Sequence, residues 1–536
     1  MIYADDLGWN DVSFHGSPQI PTPNIDALAL NGLTLQNYYG EWLCTPSRAA
    51  LLTGKYPIRT GLQHCIILGG EASGLPLNQV ILPQHLKKFG YKTHMIGKWH
   101  LGYQTKKYTP TYRGFDSFLG YWNGVIDPFD HTYYESHIKI PNRKGFYGLD
   151  FHNGTTPMAS AQSRYVTHVF TEAAEDIIKN HDVSQPLFLY LAQFAVHGYQ
   201  FMQAPAEDVS KFKYINDIGR RIHAATVSVM DQSVGSVFEA LHKKDMLENT
   251  IFLFVSDNGA LIDPAIGGFG SNYPLRGNKY TQWEGGIHVP AVIWSPLLKL
   301  DKPRISHQFM HVSDWLPTLY SGVLGGKLSD LGPIDGYDMW EELLDGTPSP
   351  RKNALQNLDT VAGSSAYRMG DLKVVNGSKR TDFQPWYGPS GLENFNRPAN
   401  YEWVFKNGSI VGDILIETGR WIADNPNEIY NELRITCQQP PPETAYNCDP
   451  LKKPCLFNIT DDPCEYSDLA DDNPEIVEQM MGIILNYKAE AMKSQSKSPD
   501  RKADPMCHHF QYVPWLDPEH YNECDYSSEE NVTIII

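Results

Sequence analysis

Ile251-Phe252-Leu253-Phe254-Val255-Ser256-Asp257-Asn258-Gly259 is five apolar residues that stop abruptly at a polar turn. A short unbroken apolar run of this kind reads as a strand buried on both faces. The pattern recurs along the chain. Met1 to Ala4 runs into Asp5-Asp6, Thr93 to Ile96 into Gly97-Lys98-Trp99-His100, and Leu187 to Val196 into His197. Strand-like and helix-like segments alternate through the first two-thirds of the sequence, which argues for an α/β layer fold. Polar residues that follow buried strands gather at the carboxyl edge of a sheet, where open α/β sheets bind ligands. A single Asp or His after a strand is as readily a solvated turn. Four strands delivering Asp, Asp, Lys, His, His, Asp and Asn to one edge read as a site.

At 536 residues the chain exceeds one ordinary core, so two domains of unequal size are expected. Hydrophobic residues at 41% and charged residues at 20% are the balance of a globular protein. Aromatic residues, 37 prolines and 43 glycines point to a loop-rich enzyme instead of a helical array. The formal charge of −18 comes with no basic cluster, so nucleic acid is not an expected partner. No stretch is apolar over a length that spans a membrane.

Cys437, Cys448, Cys455, Cys464, Cys507 and Cys524 crowd the end of the chain, while Cys44 and Cys65 lie early. The crowding reads as local disulfides formed in an oxidising compartment, with Cys437–Cys448 and Cys455–Cys464 as the expected pairs. Zinc is the rival reading, but there is no tight CxxC pair to support it. Sequons at Asn153, Asn376, Asn407, Asn458 and Asn531 add to the case for the secretory route. No signal peptide opens the sequence, and Met1-Ile2-Tyr3-Ala4 reads as lying inside a strand, so the natural start is expected to lie upstream.

Thr45-Pro46 has the grammar of a helix start, with Thr45 as cap, Pro46 at the first helical position and Gly54 to close. Cys44 then sits at a helix N-terminus, where backbone donors and the helix dipole favour an anion, and Arg48 adds a positive charge. Asp5, Asp6, Asp257 and Asn258 offer oxygen ligands only, the set a hard cation such as calcium or magnesium wants. Each could instead cap a helix or a turn. A metal is the more economical reading if they converge.

Cys44-Thr45-Pro46-Ser47-Arg48, followed by Leu52-Thr53-Gly54-Lys55, resembles the modification motif of the sulfatase family. Asp5-Asp6-Leu7-Gly8-Trp9, Thr22 to Leu28, Gly97 to Gly102, Asp257-Asn258-Gly259 and Arg276 to Lys279 resemble further blocks of that family, in order. Trp283-Glu284-Gly285-Gly286 and Ser313 to Thr318 resemble its arylsulfatase B branch. The resemblance implies an alkaline-phosphatase-like fold: a large mixed sheet flanked by helices over residues 1–360, then a smaller α+β domain over 361–536 with a disulfide-rich segment. Ala366 to Val375 reads as the hairpin that opens the small domain.

The same resemblance implies hydrolysis of sulfate esters. Cys44 would be converted to formylglycine by the formylglycine-generating enzyme in the endoplasmic reticulum. Its hydrate offers two hydroxyls, one to attack sulfur and one to let the covalent adduct collapse. One calcium ion would be held by Asp5, Asp6, Asp257, Asn258 and modified Cys44. Arg48 would hold the hydrate, Lys98 would neutralise sulfate, Lys279 and His197 would bind sulfate and assist the leaving oxygen, and His100 would be the base for collapse. The family usually has Pro soon after the His, whereas this chain has His197-Gly198-Tyr199, a change that reshapes the pocket. His64 reads equally as structural or functional. The implied substrate is a sulfated glycan such as a hexosamine 4-sulfate. The alternatives are a small dietary or xenobiotic aryl or alkyl sulfate, and a phosphate or phosphonate ester. The implied location is the lysosome or the extracellular space.

Overall fold

Ten strands form one mixed sheet in the computed structural model, which describes residues 1–140, 143–198, 202–377, 388–395, 397–520 and 533–534. Tyr199, Cys524 and Asn531 lie outside the described residues. In chain order the strands are β1 (Ile2–Ala4), β2 (Leu33–Leu35), β3 (Lys92–Lys98), β4 (Ser117–Tyr121), β5 (His152–Asn153), β6 (Thr156–Pro157), β7 (Leu187–Ala192), β8 (Phe252–Ser256), β9 (Ala291–Trp294) and β10 (Arg304–Ser306). Across the sheet they run β10-β2-β9-β8-β1-β7-β3-β4-β5-β6. The strands whose ends carry the polar residues are neighbours, and β8, β1, β7 and β3 pair parallel in that order. Their carboxyl ends therefore share one edge. β1 and β8 are buried throughout, which is why they read as unbroken apolar runs.

One run differs from its sequence reading. Leu187 to Val196 is strand only as far as Ala192. Beyond it the chain turns, yet Asp5 N–H still donates to Ala195 O at 3.0 Å and Val196 N–H to Asp5 O at 2.7 Å. The turn thus carries His197 to the side of Asp5 and Asp6.

Helices α1 (Pro23–Leu30), α2 (Cys44–Thr53), α3 (Val166–Asn180) and α4 (Ile218–Lys243) flank the sheet. In the parallel register Tyr3 pairs with Val255 and Ile2 with Phe254, so the two pairs face opposite sides. The Tyr3 hydroxyl lies 3.0 Å from Ser47 Oγ on α2. On the other side Phe238 of α4 packs on Phe252 and Trp294, with ring centroids 5.8 and 4.8 Å apart. α2 and α4 therefore cover opposite faces.

A second, antiparallel sheet of four strands holds β11 (Asn353–Asp359), β12 (Ser364–Met369), β13 (Leu372–Asn376) and β14 (Cys455–Asn458). The expected hairpin is β12–β13, turning at Gly370-Asp371. It does not open this sheet, because β11 precedes it and pairs with β12. The chain after 397 also returns to the large sheet: α5 (Ile410–Glu417) packs on α1 and α4, and Tyr430 on α6 (Pro426–Leu433) donates to Asp26 of α1. α7 (Pro474–Glu490) covers the small sheet. Trp42 and Leu43, directly before Cys44, share a hydrophobic cluster with Leu355, Leu358, Tyr367 and Met480. The small sheet thereby clamps the turn that leads into α2.

The disulfides are Cys437–Cys464 and Cys448–Cys455, not the expected Cys437–Cys448 and Cys455–Cys464. Cys455 opens β14 and receives Cys448 from the short loop before it, whereas Cys464 is buried against Pro274 O and is met by Cys437. Cys507 is also disulfide-bonded, and Cys44 and Cys65 belong to neither bond named here. Asn153 and Asn407 are exposed, while Asn376 and Asn458 are half-buried. Among the described residues no helix is long and apolar enough to cross a membrane.

Candidate active site

Cys44 is the first residue of α2, and its Sγ points at the carboxyl edge of the sheet, 3.5 Å from Asp5 Oδ1 and 3.9 Å from Asp6 Oδ1. The helix start differs from its sequence reading. Leu43 is the N-cap, and no side chain caps the helix. The Thr45 hydroxyl instead donates to His100 O at 3.0 Å, tying the helix to the end of β3. Gly54 closes α2 as expected, in the left-handed conformation with its N–H on Ala50 O.

Around the sulfur the described residues form a buried cup of opposite charges. Lys98 Nζ donates to both Asp5 oxygens at 2.9 and 2.7 Å. Lys279 Nζ lies 2.7 Å from Asp6 Oδ2 and 3.1 Å from His197 Nε2. Arg48 donates to Asp257 Oδ2 and to Lys98 O, each at 2.9 Å, with its guanidinium over the Tyr3 ring. Asn258 Nδ2 donates to Asp6 Oδ1 at 2.7 Å. All ten residues singled out in the sequence meet here: Asp5, Asp6, Cys44, Arg48, Lys98, His100, Asp257, Asn258 and Lys279 are buried, and the His197 side chain is 17% exposed. The backbone is strained at the same place. Asp6, His100 and Tyr280 all have positive φ, at 60, 56 and 75°.

The electrostatics assign protonation states to the histidines. Burial, with Lys98 and Arg48 adding to it, pushes the His100 imidazole well below its ordinary value. Its Nε2 lies 3.1 Å from Ile67 O, and its Nδ1 is buried with no partner among the described residues. His100 is therefore a neutral ring with one nitrogen on a backbone carbonyl and the other buried and unpartnered among the described residues. Burial and Lys279 lower His197 to about 3. Its Nδ1 donates to Gly198 O, which leaves Nε2 to accept from Lys279. Burial pushes the Cys44 thiol up despite Lys279 and Lys98, so the unmodified side chain is a thiol and not a thiolate.

Two residues of the site were not singled out in the sequence. Ser47 Oγ donates to Asp257 O at 2.6 Å and accepts from Glu41 N–H at 3.3 Å, which fixes α2 against the end of β8. Its signal was available, three residues after Cys44 and on the same helical face. Ile67, whose carbonyl orients His100, carries no signal, because any residue presents that group.

The donor set fits a hard cation. Ligand atoms of Asp5, Asp6, Cys44 and Asp257 come within 4.8 Å of one another, and Asn258 Oδ1 is buried without a partner among the described residues.

The fold and this cup define a hydrolase of oxyanion esters. The sulfatase family model matches residues 1–323. Mouse arylsulfatase J is 36% identical over 520 residues, covering 97% of this chain and 80% of the relative. Human N-acetylgalactosamine-6-sulfatase is 31% identical over 411 residues, covering 75% of this chain and 74% of the relative. Among solved structures, Ps i-CgsB in complex with k-i-k-neocarrahexaose superposes with a TM-score of 0.68 at 25% identity, covering 92% of this chain and 93% of that one. The chain belongs to the sulfatase family and is a sulfuric ester hydrolase.

Proposed function

We propose that this chain hydrolyses sulfate esters of glycans through a formylglycine made from Cys44 and one calcium ion. The reading rests on the placement of Cys44, at the start of α2 and within 3.9 Å of two carboxylates in a buried cup. In that placement the Cys44 Sγ stands where an oxygen of the formylglycine hydrate would be. The hydrate would supply an oxygen nucleophile and a second hydroxyl, which a thiol or serine lacks. Asp5, Asp6, Asp257, Asn258 and residue 44 would hold the calcium, which when bound polarises sulfate oxygens.

The remaining residues have separate tasks. Arg48 keeps Asp257 and Asp5 oriented and contributes charge. Lys98 and Lys279 bring two ammonium groups to the sulfate. Lys279 stands as the donor to the leaving oxygen, and His197 Nε2, which accepts from it, aims its ammonium. His100 Nδ1, neutral and unpartnered, is the base that takes a proton from residue 44.

A sulfated sugar is favoured as substrate. One relative is named N-acetylgalactosamine-6-sulfatase, and Ps i-CgsB was solved in complex with k-i-k-neocarrahexaose. The blocks at Trp283 and Ser313 support an arylsulfatase B-like hexosamine 4-sulfatase within that class. The His197-Gly198 departure favours, as a second reading, a small dietary or xenobiotic sulfate. Maturation by the formylglycine-generating enzyme places the protein in the secretory pathway, bound for the lysosome or the extracellular space.

The test is the mass of the peptide Trp42 to Arg48, released by a Glu-specific protease and trypsin from protein secreted by a eukaryotic host. An aldehyde at residue 44, with activity lost to a calcium chelator and regained with calcium, is the expected result. An intact thiol removes the nucleophile and with it the reading.

A further inference from the structure

One polar pair takes no part in the chemistry above. His64 Nδ1 lies 2.9 and 2.8 Å from the two carboxylate oxygens of Asp359. Asp359, the last residue of β11, also accepts the N–H groups of Val361 and Ala362, each at 2.9 Å. A carboxylate only accepts, so Nδ1 carries the proton and Nε2 is the outward edge of the ring. The His64 side chain is 28% exposed and that of Asp359 is fully buried. The imidazole is thus gripped from behind and open in front.

The pair is built from both sheets. His64 belongs to the loop after α2, and Asp359 begins the turn between β11 and β12. The same turn is held by Gln63 Nε2 on Thr360 Oγ1 at 3.4 Å, and by Gln282 Nε2 on Ser364 Oγ at 3.1 Å. Gln282 is three residues from Lys279, so the second of these bonds ties the start of β12 to the segment that carries Lys279. The loop of His64 also reaches the reacting centre. Three residues on, Ile67 places its carbonyl on His100 and takes the Thr45 hydroxyl at its N–H. Three residues span at most about 11 Å, so His64 lies within roughly two sugar rings of Ile67, whose carbonyl meets His100. The Tyr280 phenol has both Cys65 and Cys44 among its near neighbours, and Tyr280 N–H donates to Trp42 O at 3.1 Å, so the His64 loop comes close to the start of α2.

We propose that the outward edge of His64, aimed by Asp359, is a leaving-group subsite whose Nε2 accepts a hydrogen bond from a hydroxyl on the sugar carrying or adjoining the sulfate. This rests on the glycan reading above. A neutral oxygen suits the surroundings better than a carboxylate. A carboxylate has no hydrogen to give to Nε2, and the acids Glu71 and Glu135 stand near the same loop. A small aryl sulfate does not extend to this subsite.

The experiment is steady-state kinetics of the full-length secreted enzyme on a sulfated disaccharide and on 4-nitrophenyl sulfate. For His64→Ala the disaccharide KM is expected to rise about tenfold, the loss of one hydrogen bond, with kcat within about twofold. Both constants for 4-nitrophenyl sulfate stay within about twofold, because that substrate never made the contact. Asp359→Asn shifts the disaccharide KM in the same direction, and His64→Gln recovers part of it. Equal losses on both substrates, or failure of His64→Ala to fold, would mark the pair as structural and overturn the proposal, as would an unchanged disaccharide KM. Wild-type enzyme that cleaves only the aryl sulfate removes the sugar subsite and leaves the sulfatase chemistry standing. Inertness toward both removes that chemistry itself.

Discussion

His100 shows how one residue's surroundings select its task. A histidine beside Lys98 and Arg48 cannot hold a proton in the resting site, because burial and both cations disfavour the imidazolium. The backbone carbonyl of Ile67 fixes one ring nitrogen and leaves the other buried without a partner among the described residues. Such a ring accepts a proton only when negative charge appears beside it, which suits a base acting after sulfate has transferred. His100→Gln keeps a polar side chain of similar reach but has no basic nitrogen. We expect kcat to fall by about 10² to 10³-fold and KM to fall with it, because the slowed step follows sulfate transfer. Rates on 4-nitrophenyl sulfate at saturating and subsaturating concentration separate the two constants. A KM rise with kcat preserved would instead make His100 a binding residue.

At the scale of elements, the edge of the sheet depends on strands that approach too closely for side chains. Gly97 in β3 has φ +99°, and a Cβ there would stand 1.8 Å from Ala192 O of β7. Gly120 in β4 faces Gly97 in the same register, where its own Cβ would lie 2.0 Å from Gly97 O. The next residue after Gly97 is Lys98, so this junction sets where the Lys98 ammonium emerges. Gly97→Ala must move a strand or adopt a disfavoured backbone, and should cost more than about 2 kcal/mol. A lower urea midpoint with an unchanged slope is the expected readout. An unchanged midpoint would show that the strands have room to part. Elements of this kind were legible in the sequence where one physical signal dominated. Buried parallel strands lack a polar face, so the runs ending at Asp5, Lys98 and Asp257 announced the sheet and the edge where these residues gather. Legibility failed where the partner lies far away in the chain. Thr45 looks like a helix cap locally, but its hydroxyl is taken by His100 O, 55 residues on. The cysteine pairs depend on how Cys464 packs against Pro274 O, which spacing does not encode.

Across the whole molecule, buried acids link distant parts of the chain and tie stability to pH. Asp26 on α1 accepts hydroxyl donors from Thr22, Ser13 and Tyr430, the last arriving from α6 after more than 400 residues. Burial, opposed by those hydrogen bonds, raises its carboxyl to about 6. A raised acid binds its proton more readily in the folded chain than in the unfolded one. Stability from this group is therefore greatest in acid and is lost as pH rises from about 4 to about 6, leaving a buried carboxylate above that window. The window suits a protein that works in an acidified compartment, although histidines held below their ordinary value, His152 and His311 among them, pull the other way. Asp26→Asn isolates the acid. The amide is neutral at every pH, and the three hydroxyls can rotate to accept from it as well as donate. The variant should match or fall slightly below wild type in chemical denaturation at pH 4. It should gain on wild type by pH 7, the difference changing by roughly 2 to 3 kcal/mol across that range. A difference that stays flat with pH would mean that Asp26 is ionised in the folded chain throughout, held so by its three hydroxyl donors. The tie between α1 and the returning C-terminal segment would then be a charged one.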